Sequence, residues 1–127
     1  MHEKILVVDD EPDLRFILRK ILEREGYAVA EAESGEKALE LLKTEKPDLI
    51  LLDVMMPGLD GWETAKKIKS SPESKDVKIA MITAKVQEED KIKSFEESGV
   101  EWHITKPVDK TRLITTVKWL LEYQPKK

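Results

Sequence analysis

Residues Leu49 to Gly61 read L-I-L-L-D-V-M-M-P-G-L-D-G, an unbroken apolar run that ends on a carboxylate and passes at once into turn residues. Leu49 to Leu52 has the length and continuous apolarity of a strand buried on both faces, and Met56-Pro57-Gly58 with Asp60-Gly61 supplies the turn. Asp53 therefore stands where a buried strand stops. An ionised carboxylate stripped of water is costly unless partnered, so some other part of the chain must compensate it. A lone strand-end Asp can also merely cap a loop or accept backbone hydrogen bonds. The other strand ends decide between the two.

The chain opens with Lys4 to Val8, K-I-L-V-V, a β-branched run that reads as a central strand and delivers Asp9-Asp10-Glu11. Pro12 suits the first turn of a helix whose face is Leu14, Ile17, Leu18, Ile21 and Leu22, closed by Gly26. An N-cap role would account for Asp10 alone, but not for Asp9 beside it. Tyr27 to Ala32 alternates as a second strand, and Ser34-Gly35-Glu36 starts a helix with Ala38, Leu39 and Leu42 inward, closed by Pro47. After the Asp53 strand, a third helix from about Gly61 to Ser70 turns Trp62, Ala65 and Ile68 inward and Lys66, Lys67 and Lys69 to solvent. A polar loop over Ser70 to Lys75 leads to Val77 to Thr83, a fourth strand ending in a hydroxyl, with Ala84 and Lys85 after it. The next helix, about Gln87 to Ser98, has only Ile92 and Phe95 as strong anchors and is expected to be the mobile element. Trp102 to Thr105 makes a last strand delivering Lys106-Pro107. The last helix carries Leu113, Ile114, Val117, Leu120 and Leu121, and residues 124–127 fray.

Length and composition bound this reading: 127 residues, 40% hydrophobic and 38% charged, suffice for one domain with one core. No apolar run is long enough to span a bilayer and Met1-His2-Glu3-Lys4 does not resemble a signal peptide, so a cytoplasmic location and no membrane insertion are expected. Without cysteine, any metal must be held by oxygen or by His2 and His103, whose separation matches no zinc spacing. A formal charge of -4 speaks against direct nucleic-acid binding and for a protein partner. The Lys- and Glu-rich composition would suit a thermophile but is common on helical surfaces.

Strands alternating with helices imply a parallel sheet covered on both faces, because parallel neighbours need crossover connections. All carboxyl ends of such a sheet share one edge, where ligands of open α/β sheets bind. Asp9, Asp10, Asp53, Thr83 and Lys106 all fall on that edge: acids, a hydroxyl and an ammonium converging from four strands.

V-V-D-D-E-P, L-L-D-V-M-M-P-G-L-D-G, I-T-A and I-T-K-P, in that order, resemble the signature of the CheY-like receiver domain of two-component response regulators. The resemblance covers nearly the whole chain. It implies a flavodoxin-like (βα)5 three-layer sandwich with a five-stranded parallel sheet of order 2-1-3-4-5, a single receiver domain over 1–127. It also implies that Asp53 is the phosphoacceptor, attacking a phosphohistidine on a sensor histidine kinase or phosphotransfer protein, or a small acyl phosphate. Clustered carboxylates resist joint ionisation, so a divalent cation is required; Mg²⁺ suits an all-oxygen site that keeps waters, with Mn²⁺ as a substitute. By resemblance, Asp10, Asp53 and the Met55 carbonyl bind the ion and Asp9 acts mainly through water. Lys106 and Thr83 would meet phosphoryl oxygens, and the Lys106–Pro107 peptide is expected to be cis. Such a domain catalyses only its own phosphorylation and dephosphorylation and is not otherwise an enzyme.

Two positions depart from the family pattern. His103 replaces the usual switch Tyr or Phe three residues before Lys106; it can act as the switch with some pH sensitivity or be a surface imidazole, the reading preferred. Trp102 is expected to pack on the adjacent helix. Met55 and Lys85 flank the approach of the hydrolytic water, and neither is a carboxylate or amide, so a long-lived phosphoryl group is expected. Phosphorylation would shift a population toward a form read by an unknown downstream protein on the fourth helix, last strand and last helix. Monomer or weak phosphorylation-dependent dimer fits, and Met1 with the frayed tail favours a stand-alone regulator over a fragment of a DNA-binding one. A haloacid-dehalogenase phosphohydrolase would need D-x-D-x-[TV] after the first strand, and flavodoxin-type FMN binding a Ser/Thr/Gly-rich loop there. A pseudo-receiver would commonly lack Asp10, Asp53 or Lys106.

Overall fold

Five parallel strands lie side by side in the order β2-β1-β3-β4-β5 in the computed structural model, which describes residues 3–83 and 100–122. The strands are β1 (Lys4–Val8), β2 (Ala28–Ala32), β3 (Leu49–Asp53), β4 (Lys78–Thr83) and β5 (Trp102–Thr105). The helices are α1 (Pro12–Arg24), α2 (Gly35–Leu41), α3 (Gly61–Ser70) and α4 (Lys110–Glu122). The helix expected at about Gln87 to Ser98 and the tail 124–127 lie outside the described residues. The architecture is the expected flavodoxin-like three-layer sandwich.

Successive strand residues point to opposite faces, and each face has its own cluster. Leu6, Val8, Ile50, Leu52, Ile79 and Met81 meet Ala38 and Leu42 from the α2 side and Ala65 and Ile68 of α3. Ile5, Val7, Leu49, Leu51, Ala80 and Ile82 meet Leu18 and Leu22 of α1 and Leu113, Val117 and Leu120 of α4. Burial on both faces is why these strands read as unbroken apolar runs rather than alternating ones.

The helix starts follow local chemistry. Pro12 opens α1, Ser34 Oγ accepts the Lys37 amide at 3.1 Å, and Asp60 Oδ1 accepts the Glu63 amide at 2.9 Å. After α1, Gly26 takes φ 94°, a left-handed conformation that ends the helix. The Tyr27 amide still reaches back to the Leu22 carbonyl at 3.2 Å, which is why β2 begins one residue later than its alternation suggests. Val77 is likewise held by a turn, its amide on the Ser74 carbonyl at 3.1 Å, and β4 begins at Lys78.

Two side chains, Ile17 and Lys69, sit differently from expectation, and a third, Thr64, was not anticipated at all. Ile17 is exposed, because the buried stripe of α1 is narrowed to Leu18 and Leu22, flanked by half-buried Leu14 and Ile21. Thr64 is buried, its hydroxyl donating to the Asp60 carbonyl at 2.7 Å. Lys69 does not join the solvated face of Lys66 and Lys67. Its ammonium donates to the Val77 carbonyl at 2.6 Å and to both Glu101 oxygens at 3.0 and 2.8 Å, and Glu101 Oε1 also accepts the Ile79 amide at 2.9 Å. One lysine thus clasps the end of α3, the entry to β4 and the residue before β5.

Lys69→Met leaves the Glu101 carboxylate and the Val77 carbonyl short of their donor and is expected to destabilise the fold by about 1–3 kcal/mol. Lys67→Met, on the exposed side of the same helix, should stay within about 0.5 kcal/mol. Urea midpoints of the two variants test the difference.

Candidate functional site

The strand register brings the chemically active side chains to the carboxyl edge of the sheet. Val8 is level with Leu52 across the β1–β3 pair, Asp53 with Ile82 across β3–β4, and Thr83 with Thr105 across β4–β5. The residue after β1, the last of β3, the last of β4 and the residue after β5 are therefore Asp9, Asp53, Thr83 and Lys106, all on one side.

Asp9 is fully buried. Its Oδ1 accepts the Glu11 amide at 2.8 Å, so Asp9 rather than Asp10 serves the start of α1, whose N-cap residue Glu11 makes no side-chain cap bond. Asp9 Oδ2, equally buried, meets no protein donor among the described residues. Asp53 is 2% exposed, with Oδ1 3.3 Å from the Lys106 ammonium and 3.4 Å from the Met55 amide. Asp10 is exposed, and one carboxylate oxygen from each of Asp9, Asp10 and Asp53 lies within 4.8 Å of the others. Thr83 is buried at the end of β4. The Met55 side chain is 70% exposed.

Gly61 permits this closeness. Its amide donates to the Val54 carbonyl at 2.9 Å, and a Cβ there would run into the Asp53 carbonyl oxygen and the Val54 backbone. Only glycine lets α3 start so near the end of β3.

Burial pushes the Asp9 carboxyl up to about 6 against the pull of the Glu11 amide, with the Asp53 charge adding to the rise and Lys106 opposing it. Burial also raises Asp53, opposed first by Lys106. A buried carboxylate oxygen without a donor among the described residues, beside two further carboxylates and the Lys106 ammonium, is a donor set that fits a small hard divalent cation.

Of the remaining expected residues, His103 is half-buried in β5, its ring stacked 6.2 Å from Trp102 at 21°. Trp102 in turn lies 5.3 Å from Trp119 of α4, and both indoles are exposed. The Lys106–Pro107 peptide is cis. Lys85 lies outside the described residues. Sequence reasoning passed over Arg15, whose guanidinium contacts the Asp9 carbonyl, and over Trp119. Neither carries a motif, although a basic residue one turn into the helix that follows an acid pair is placed to reach back to it.

A model of the response regulator receiver domain family matches residues 5–118. The chain belongs to that family. It is 46% identical over 118 residues to the transcriptional regulatory protein ResD of Bacillus subtilis, covering 93% of this chain but 48% of ResD, so it spans about half the length of that relative. It is 36% identical to protein PilH of Pseudomonas aeruginosa, covering 93% of this chain and 97% of PilH. A solved putative response regulator from Chloroflexus aurantiacus superposes with a TM-score of 0.90 at 33% identity, covering 97% of this chain and all of that one (100%). Receiver domains are signalling domains of two-component systems rather than ordinary enzymes, and they bind Mg²⁺ at an acidic pocket. They work with histidine kinases or phosphotransfer proteins and with downstream targets. Among the described residues no helix is long and apolar enough to cross a membrane.

The raised Asp9 pKa sets a sign for stability. From about pH 4 to about 6 the folded chain keeps a proton that the unfolded chain has lost, so this group's contribution falls as pH rises and its full cost is present at pH 7. Asp9→Asn keeps the acceptor for Glu11 and removes the charge. It is expected to raise the thermal midpoint of the metal-free protein by roughly 5 °C near neutral pH. Near pH 4 the gain should vanish, because wild-type Asp9 is then protonated; paired melts at the two pH values check it.

Proposed function

We propose that the chain is a phosphoacceptor receiver: Asp53 takes a phosphoryl group from a phosphohistidine of a sensor histidine kinase or phosphotransfer protein, or from a small acyl phosphate, in the cytoplasm. The observation that carries this reading is the Lys106 ammonium 3.3 Å from Asp53 Oδ1, within a cluster shared with Asp9 and Asp10. An Asp53 oxygen attacks phosphorus, the P–O bond forms as the P–N bond breaks, and the imidazole leaves with the bonding electrons. Lys106, already at Asp53, turns to a phosphoryl oxygen, and the Thr83 hydroxyl donates to another. These residues position the phosphoryl group and neutralise its charge, the main catalytic devices of phosphoryl transfer. Asp10, Asp53 and the Met55 carbonyl would hold Mg²⁺, or Mn²⁺ in its place, with Asp9 acting through water, and the ion would supply positive charge that lets two anions approach.

Movement of Thr83 toward the phosphoryl group would alter β5, where His103 occupies the switch position, and so the surface that β5 shares with α4. A downstream protein that prefers one arrangement shifts the population toward it. The chain acts as a monomer or a weak phosphorylation-dependent dimer, without direct contact to nucleic acid.

Met55, exposed beside Asp53, brings no carboxylate or amide to orient a hydrolytic water, and Lys85 is the other residue proposed to flank that approach. The aspartyl phosphate is accordingly long-lived, and Met55→Asn is expected to shorten its lifetime several-fold, read as decay of the phosphorylated mass.

Intact mass after incubation with acetyl phosphate tests the acceptor assignment. A phosphoryl adduct is expected with Mg²⁺, none after chelation, and none in Asp53→Asn. An adduct that survives in Asp53→Asn moves the acceptor elsewhere. No adduct in the wild type, with Mg²⁺ bound and hydrolysis too slow to hide one, supports a binding module that works without phosphorylation.

A further inference from the structure

Among the described residues Asp9 is fastened by three hydrogen bonds, and one comes from a side chain that the phosphoryl chemistry does not use. The Asp9 amide donates to the Ala32 carbonyl at 3.1 Å and Oδ1 accepts the Glu11 amide at 2.8 Å. The Asp9 carbonyl accepts Nη1 of Arg15 at 2.6 Å. Arg15 lies one turn into α1 with its side chain 16% exposed, and its Nε donates to Glu31 Oε1 of β2 at 3.1 Å. Glu31 Oε2 accepts Nη1 of Arg19 at 2.7 Å, and Nε of Arg19 reaches Glu23 at 3.1 Å. The result is a ladder of alternating charge running from the surface of α1 inward, with Arg15 as its innermost rung.

Two forces act on Asp9 in opposite directions. The charges of Asp53 and Asp10 repel its carboxylate, and water outside would solvate it better than the buried pocket does. Against them stand short hydrogen bonds, of which the one from Arg15 is charge-assisted and held by a second anchor. A guanidinium serves two acceptors at once through its rigid fork, here a carbonyl of β1's end and a carboxylate of β2, whereas an ammonium is a single point of charge.

Resting on the reading of Asp9, Asp10 and Asp53 as a divalent-cation site, the geometry points to Arg15 as a positioning residue for that site. Anchored by Glu31, Arg15 pins the Asp9 backbone so that Oδ2 stays within reach of an ion among carboxylates that repel it. Without that pin Asp9 relaxes outward, and ion binding must first draw it back.

Calorimetric titration with Mg²⁺ alone, beside thermal midpoints of the metal-free proteins, tests this. Arg15→Gln is expected to weaken Mg²⁺ binding about 10-fold. Glu31→Gln, which touches no carboxylate of the site, should weaken it less but in the same direction, and Arg15→Lys should restore part of the loss. Arg19→Gln breaks the outer rung and should lower the thermal midpoint while leaving Mg²⁺ affinity as in the wild type. At saturating Mg²⁺, Arg15→Gln should form the acetyl phosphate adduct at the wild-type rate, so that the metal requirement moves and the maximum does not. The inference is overturned if folded Arg15→Gln binds Mg²⁺ as tightly as the wild type, or if Arg19→Gln weakens binding equally, which would mark general loosening of α1. A wild type that binds no Mg²⁺ removes the cation site itself and the inference with it, a result distinct from either.

Discussion

Three carboxylates with oxygens within 4.8 Å of one another, two of them buried, repel one another and would disperse if the chain allowed it. The fold does not allow it, because the two buried acids stand at strand ends, and the Arg15 side chain adds to the hold on Asp9. Asp9 follows β1 and is bonded to the Ala32 carbonyl beside it; Asp53 is the last residue of β3 and is paired with β4. Moving either carboxylate away means disturbing a central strand whose apolar side chains are buried. Core packing is therefore spent on maintaining an electrostatically unfavourable cluster, and one ammonium, that of Lys106, offsets part of it at 3.3 Å. A strained charge arrangement maintained by a rigid scaffold is the condition in which an arriving cation finds its partners already placed.

How much of this was legible in the sequence depends on whether the information is local. The bounds of β1, α3 and β5 agree residue for residue with the apolar runs and turn signals that mark them. Parallel topology then gathers the strand ends, which is why Asp53 and Lys106 could be placed on one edge although far apart in the chain. Side-chain environments were less legible. Ile17 fits the helical period yet lies outside the stripe that the sheet covers, because periodicity cannot say how wide that stripe is. Lys69 reads as one of several surface lysines until the turn before β4 and Glu101 are brought to it by the fold. Arg15 was invisible for a further reason: its partners are a main-chain carbonyl, which leaves no trace in sequence, and a glutamate on a different strand. Thr64 gave no signal either, since its hydroxyl is satisfied within its own helix and can be buried at little cost.

The aromatic group on the far edge belongs to the same division. Trp102 alone could be expected to pack on the last helix, but that its neighbour there is a second indole, with His103 stacked beside it, is tertiary information. It places a half-buried His103 against a ring.

The division of the sheet into two faces has an energetic corollary. Leu6 and Ile50 are paired across β1 and β3 and share one cluster, as Val7 and Leu51 share the other. Ile50 and Leu51 are covalent neighbours with no cluster in common. Double-mutant coupling should accordingly be strong between the cross-strand partners and near zero between the chain neighbours. The sheet behaves as a partition between two reservoirs of substitution, each free to drift in volume and shape without the other. The acids stand at the end of the wall, held by its strands and belonging to neither reservoir.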